Sequence, residues 1–253
     1  LVTDLAFSDP APRWQLVVVP TVGGLLVGLI VARLVPEVAG GGVVSTMEAM
    51  AIHRGRIRRR VPAFGVVATS VALGTGASGG REGPIVLFGG AVGSGIAALG
   101  RMDEDRTRAL VAAGVAAGIA ASFNAPIGGM LFAIELLLGG IRRTGALQTI
   151  VVAAVVSSVT ARQLVGPGLP LFEPATGARL ASPTELVVYA VLGLLALLVA
   201  AGFRHGEDLA GRLFGDVRRR VGVPLTVALG GFVVGLTALV VPEVLGEGAD
   251  LPA

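Results

Sequence analysis

Gly79-Gly80-Arg81-Glu82-Gly83-Pro84 interrupts an otherwise apolar run from Val61 to Gly100. A carboxylate inside such a run is expensive unless it has a function. Glycine lets the backbone turn and approach a ligand closely, and Pro84 suits the first turn of a new helix. Glu82 is therefore expected at a helix N-terminus, where free N–H groups form an anion site. The same amides can hold the carboxylate of Glu82 or a small permeating anion, but not both, and a tethered anion that competes with a mobile one is a gate. The plainer alternative is that Glu82 only caps the helix, a contribution of ~0.3–1 kcal/mol. Arg81 is read either as a snorkelling interfacial residue or as a charge that attracts anions near the site.

The rest of the chain makes a bilayer the natural solvent for this break. Of 253 residues, 53% are hydrophobic and only 15% charged, with a mean hydropathy of +0.82; soluble domains carry roughly a quarter charged residues. Trp14 to Val35 is long enough to cross a ~30 Å hydrocarbon core, with Trp14 placed as an interfacial anchor. Residues 61–100 supply two crossings on either side of Glu82. Residues 109–140 are interrupted at Phe123-Asn124-Ala125-Pro126, residues 145–214 by a loop over 165–183, and a last run covers 221–241. Seven or eight membrane segments result, several short and broken by Gly or Pro, as in transporters whose helices break at mid-bilayer to form a site.

All 20 basic residues are arginines. They gather at 54–60, 101–108, 142–143 and 218–220, each separated from the next by an even number of crossings, so the positive-inside rule puts all four breaks on the cytoplasmic side. With 4% aromatics the arginines do not form a nucleic-acid surface. There is no cysteine, and His53 and His205 lie far apart beside arginines, so no metal or cofactor is expected. An intramembrane hydrolase would need a Ser/His or paired-Asp constellation inside the spans; a permease rather than an enzyme is expected.

Three further features fall inside the apolar runs. Gly40-Gly41-Gly42-Val43 precedes a short helical segment and could cradle an anion on its backbone amides, although glycine runs also mark tight turns. Gly114, Gly118, Ala121, Ala125, Gly128 and Gly129 read as a close-packed helix interface, with Asn124 capping the helix that Pro126 opens. Glu135 is a second acid in an apolar run, either paired with surface arginines or serving a proton path.

These residues resemble the CLC chloride channel and chloride–proton antiporter family. Gly80-Arg81-Glu82-Gly83-Pro84 followed by Gly89-Gly90 is similar to the family signature that holds its gating glutamate. Residues 116–129, with Leu131-Phe132 and Glu135, resemble its second signature, and Gly40 to Met50 is similar to the segment whose glycine turn lines the central anion site. The resemblance implies an all-α polytopic fold of short, tilted, broken helices in inverted repeats, the first over about 14–165 and the second starting over about 183–253. It implies a homodimer in the cell membrane conducting chloride or a similar small anion, as a voltage-gated channel or an antiporter. It makes Glu82 the gate and Gly40, Gly41, Gly42, Val43, Arg81, Gly83 and Ile85 the anion-site residues. The chain reads as a single transmembrane fragment, 1–253, without the family's first helix and C-terminal part. Gly41 stands where many members have serine, Val44 where they have proline, and Leu136 where exchangers place a proton-transfer glutamate, with Glu135 its neighbour. The rival reading is a secondary transporter of another substrate on unrelated broken-helix repeats.

Overall fold

The computed structural model describes residues 12–138, 144–166 and 185–246. In chain order the helices are α1 (Arg13–Leu34), α2 (Gly42–Ala51), α3 (Arg60–Gly74), α4 (Glu82–Leu99), α5 (Glu104–Phe123), α6 (Pro126–Ala133), α7 (Thr144–Val165) and α8 (Glu185–Ala238). One π turn (Ile134–Leu138) extends α6, and short 3-10 turns cover Pro36–Val38 and Pro242–Val244. No strand occurs among the described residues. The helices fall mostly on apolar runs of the sequence, but α8 continues through the charged stretch 204–220, so the break expected at Arg218-Arg219-Arg220 is helical; Trp14 lies exposed at the start of α1. The loop 167–184 and the Arg142-Arg143 break lie outside the described residues.

The chain divides into two units, Leu1–Gly168 with Val223–Ala253, and Leu169–Gly222. In the second unit all of residues 186–213 are exposed, with Leu186 to Val199 apolar on every side of the helix. A helix that is hydrophobic all round needs apolar surroundings. Helix α8 is interrupted at Gly222, whose φ of 81° is non-helical and which a residue with a Cβ would adopt only at a cost.

The first unit is built on closely packed small residues. Gly89 of α4 and Gly114 of α5 lie so close that a Cβ on either would strike the other's backbone, and Gly93 meets the Leu110 carbonyl in the same way. Helices α4 and α5 are thus antiparallel, and Gly129 brings α6 against Ala116 and Ala120. The core they enclose holds Val86, Val115, Ala116, Ile119, Ala120 and Ile150. Without a hydrophobic difference between lipid tails and leucine, such backbone proximity is what holds membrane helices together. The last part of α8 runs antiparallel to α1, with Gly28 against Pro224, Gly24 against Val227, and Gly235 against Leu16 and Val17.

One end of this unit collects the charges. Asp103 caps α5 through its Oδ1, which accepts from Arg106 N–H at 2.9 Å. Glu104 pairs with Arg54 at 3.4 Å and Arg108 at 2.9 Å, Gly55 packs against Thr107 and Arg108, and the Ile57 N–H donates to Ser94 Oγ at 2.9 Å. The arginine breaks at 54–60 and 101–108 therefore share one end.

Candidate anion site

The two glycine-bearing segments meet. Gly42, the first residue of α2, packs so closely on Gly83, in the first turn of α4, that a Cβ at Gly42 would collide with the Gly83 carbonyl. Gly41 precedes it with φ 88°, the left-handed region in which glycine is strongly favoured. Two helix N-termini thus converge on a cavity of about 270 Å³ lined by Gly41, Gly42, Gly80, Gly83 and Pro84, and by apolar side chains including Val31 and Leu87.

Each N-terminus carries orphan amides, because the first N–H groups of a helix have no intrahelical acceptor. At α2 the first backbone bond is Ser45 N–H to Gly41 O at 3.0 Å, leaving Gly42, Val43 and Val44 N–H without a backbone acceptor. At α4 Ile85 N–H donates to Arg81 O at 3.2 Å, so its amide serves the helix itself and the free donors at this end are those of Glu82 and Gly83. Both dipoles add positive potential at the cavity. What this arrangement can do chemically is hold a small anion by backbone donors, without any cationic side chain in the lining.

Glu82 is the first residue of α4 and is exposed. Its carboxylate is folded back over Gly80, where a Cβ would overlap Oε2; glycine at 80 gives it room. Arg81, in the cap position, makes no capping hydrogen bond. Glu135 lies at the π turn and is exposed, whereas its neighbour Leu136 lines a separate cavity of about 380 Å³ with Met47, Met50 and Arg108. No cluster of three or more His, Cys, Asp or Glu is placed to hold a metal among the described residues.

Asn124 corrects the sequence reading. It does not cap α6, whose cap residue Ala125 makes no side-chain cap bond. Asn124 instead closes α5 in the left-handed conformation, φ 51°, and its Oδ1 accepts from Ser158 Oγ at 3.2 Å and from Arg162 Nε. Left-handed backbone suits asparagine as a helix terminator, and the amide is then free to reach α7.

Two residues that sequence reasoning passed over support the glycine turn. Ser45 Oγ lies 2.8 Å from Gly41 O and 2.6 Å from Glu37 O. Glu37 Oε1 accepts from Arg58 at 2.5 Å and has Arg60 at 3.8 Å. Desolvation pushes the Glu37 carboxyl upward, but the Arg58 hydrogen bond, its own backbone amide and the charges of Arg58 and Arg60 outweigh it and hold the group below the usual carboxylate value. The signal for Ser45 was its position four residues after Gly41, the spacing at which a serine hydroxyl bonds back to a carbonyl.

The described residues are helical without strands, and four of the helices are long and apolar enough to cross a membrane. The sequence model of the voltage gated chloride channel family matches residues 23–252, and the chain belongs to that family. It is 34% identical to a ClcB-like protein of Ralstonia nicotianae, over 96% of this chain and 57% of that protein. It is 35% identical to an H(+)/Cl(-) exchange transporter, ClcA, of Vibrio cholerae, over 88% of this chain and 48% of the relative. The fold matches that of a slow cyanobacterial Cl-/H+ antiporter with a TM-score of 0.76 at 23% identity, over 96% of this chain and 57% of that one. The chain thus spans about half the length of the relatives it matches.

Proposed function

We propose that the chain forms part of a membrane permease for chloride or a similar small anion, held by the amides of Gly42, Val43 and Gly83 and gated by Glu82. The observation that carries this reading is the packing of Gly42 on Gly83, which brings two sets of orphan N–H groups to one cavity beside a carboxylate turned back over Gly80. A cation site would want several intramembrane acids, and no Asp or Glu is among the residues that line this cavity. The relatives named for chloride and for H(+)/Cl(-) exchange support the substrate. We take residues 14–165 as the first of two inverted repeats, the assembly as a homodimer, and the plasma membrane as its location. It is a transporter or channel, not an enzyme.

The test is chloride efflux from liposomes holding the full-length protein. Glu82→Gln, which competes poorly for amide donors, should speed efflux and flatten its dependence on external pH. An unchanged rate and pH profile would remove the gate assignment.

A further inference from the structure

We propose that Ser45, anchored through Glu37 to Arg58, is a positioning residue that aims the Gly42 amide at the anion cavity and so sets which anions the site prefers. This rests on the reading of that cavity as an anion site.

The argument starts from the turn itself. Gly40-Gly41-Gly42 is three glycines in sequence, the segment with the most backbone freedom to lose, yet a selective site needs its donors fixed. Gly41 sits at φ 88° with nothing within 4 Å of where its Cβ would be, so packing does not hold it. Hydrogen bonds do. Gly41 N–H donates to Val38 O at 2.8 Å, and its carbonyl accepts from Ser45 N–H at 3.0 Å and from Ser45 Oγ at 2.8 Å.

A trans peptide is planar, with its C=O and N–H pointing in opposite directions. Fixing the Gly41 carbonyl toward α2 therefore fixes the Gly42 N–H away from it, and the Gly42 nitrogen lies 3.4 Å from the position of a Cβ on Gly83. Among the described residues the buried Ser45 hydroxyl is the side-chain group bonded to this carbonyl, and its single proton is shared with Glu37 O at 2.6 Å. That second contact ties the turn to a residue whose carboxylate is held from another element by Arg58 at 2.5 Å, with Arg60 at 3.8 Å. Oε2 of Glu37 is buried without a partner, so Oε1 carries both arginines. The chain of contacts runs from a surface ion pair to an amide of the site.

Two measurements on the full-length protein separate the possibilities. The first is amide hydrogen exchange, which needs no transport: Ser45→Ala should raise exchange over 40–44 by about fivefold, the factor carried by one net hydrogen bond, and leave 86–98 in α4 unchanged. Exchange that does not move would overturn the brace, whether or not the protein passes chloride. The second is the nitrate-to-chloride permeability ratio in liposomes. Ser45→Ala should shift it, Ser45→Thr should restore it, and Glu37→Gln should move it the same way by less. Faster exchange with an unaltered ratio would make Ser45 merely structural and overturn the positioning role. Wild-type protein that passes no chloride would instead defeat the reading of the cavity, and the exchange result would still decide the brace. Should Ser45→Ala fail to fold, Glu37→Gln and Arg58→Gln, which alter an ion pair between an exposed guanidinium and a half-buried carboxylate, carry both measurements.

Discussion

Helices α4 and α6 both start on a proline-bearing turn near one end of the first unit, yet the residues before the two prolines are treated in opposite ways. Ahead of Pro84, the Glu82 carboxylate is exposed and turned over a glycine, with no side-chain cap at the cap position. Ahead of Pro126, Asn124 is locked: its backbone ends α5 in the left-handed region and its amide oxygen is held by Ser158 and Arg162 of α7. A charge left without a fixed partner can move between amides and solvent; an amide with two partners on a neighbouring helix cannot. The same local chemistry thus supplies a movable element in one place and a fixed frame in the other.

The contrast breaks most readily where the movable element meets its frame. Gly42→Ala would drive a methyl group into the backbone of Gly83 and Pro84, which has no flexible end to give way. Separating the two helix starts should abolish chloride efflux, and overpacking of this kind costs about 1–3 kcal/mol of stability. Gly41→Ala tests the backbone instead: open space surrounds its Cβ position, but φ 88° with ψ 161° is essentially a glycine conformation, so its strain is about 1–3 kcal/mol. Efflux in Gly42→Ala equal to wild type would mean that the convergence of α2 and α4 does not matter to the path.

The frame gives way by a smaller amount. Asn124→Ala removes the acceptor shared by Ser158 and Arg162 while keeping a left-handed residue at 124, and should cost about 1–3 kcal/mol. Asn124→Gly relieves the backbone but not the lost acceptor, so its thermal unfolding in detergent should fall between that of Asn124→Ala and wild type. If both variants melt with the wild type, the link from α5 to α7 contributes nothing and the contrast with Glu82 has no energetic content.

How much of this was legible in sequence follows from what each feature depends on. Most helix starts and ends among the described residues were, because a run of apolar residues ended by Gly, Pro or Arg is a one-dimensional signal; Glu82 at a helix start was, because Gly83-Pro84 follows it; the break expected at Arg218 to Arg220 was not, since the helix continues through it to Gly222. Asn124 was misassigned, because asparagine beside a proline fits two caps and only Arg162, 38 residues away, decides between them. The Glu37–Arg58 pair was invisible for the same reason: it is set by where α1 and α3 meet, and neither residue stands out among its neighbours. Ser45 had a local signal, its spacing from Gly41, but no hint of what the turn supports.

The smallest effect expected is none at all. By the resemblance, Leu136 stands where exchangers place a proton-transfer glutamate, so no second titrating group is expected there on the inner side. The Leu136 side chain lines a cavity with Met47, Met50 and Arg108. The one charge in that lining is the Arg108 guanidinium, which repels a proton and is itself paired with Glu104 at 2.9 Å. Glu135 does not replace it: consecutive helical residues project about 100° apart, and Glu135 is exposed while Leu136 faces the cavity. With Glu82 as the proposed gate and no Asp or Glu among the residues lining either cavity, anions should move without stoichiometric protons. At fixed, symmetric chloride, the reversal potential of the full-length protein should therefore stay near zero as a proton gradient is imposed. A reversal potential that follows the proton gradient would refute this, and its disappearance in Glu135→Gln would assign the missing proton station to Glu135 despite its exposure.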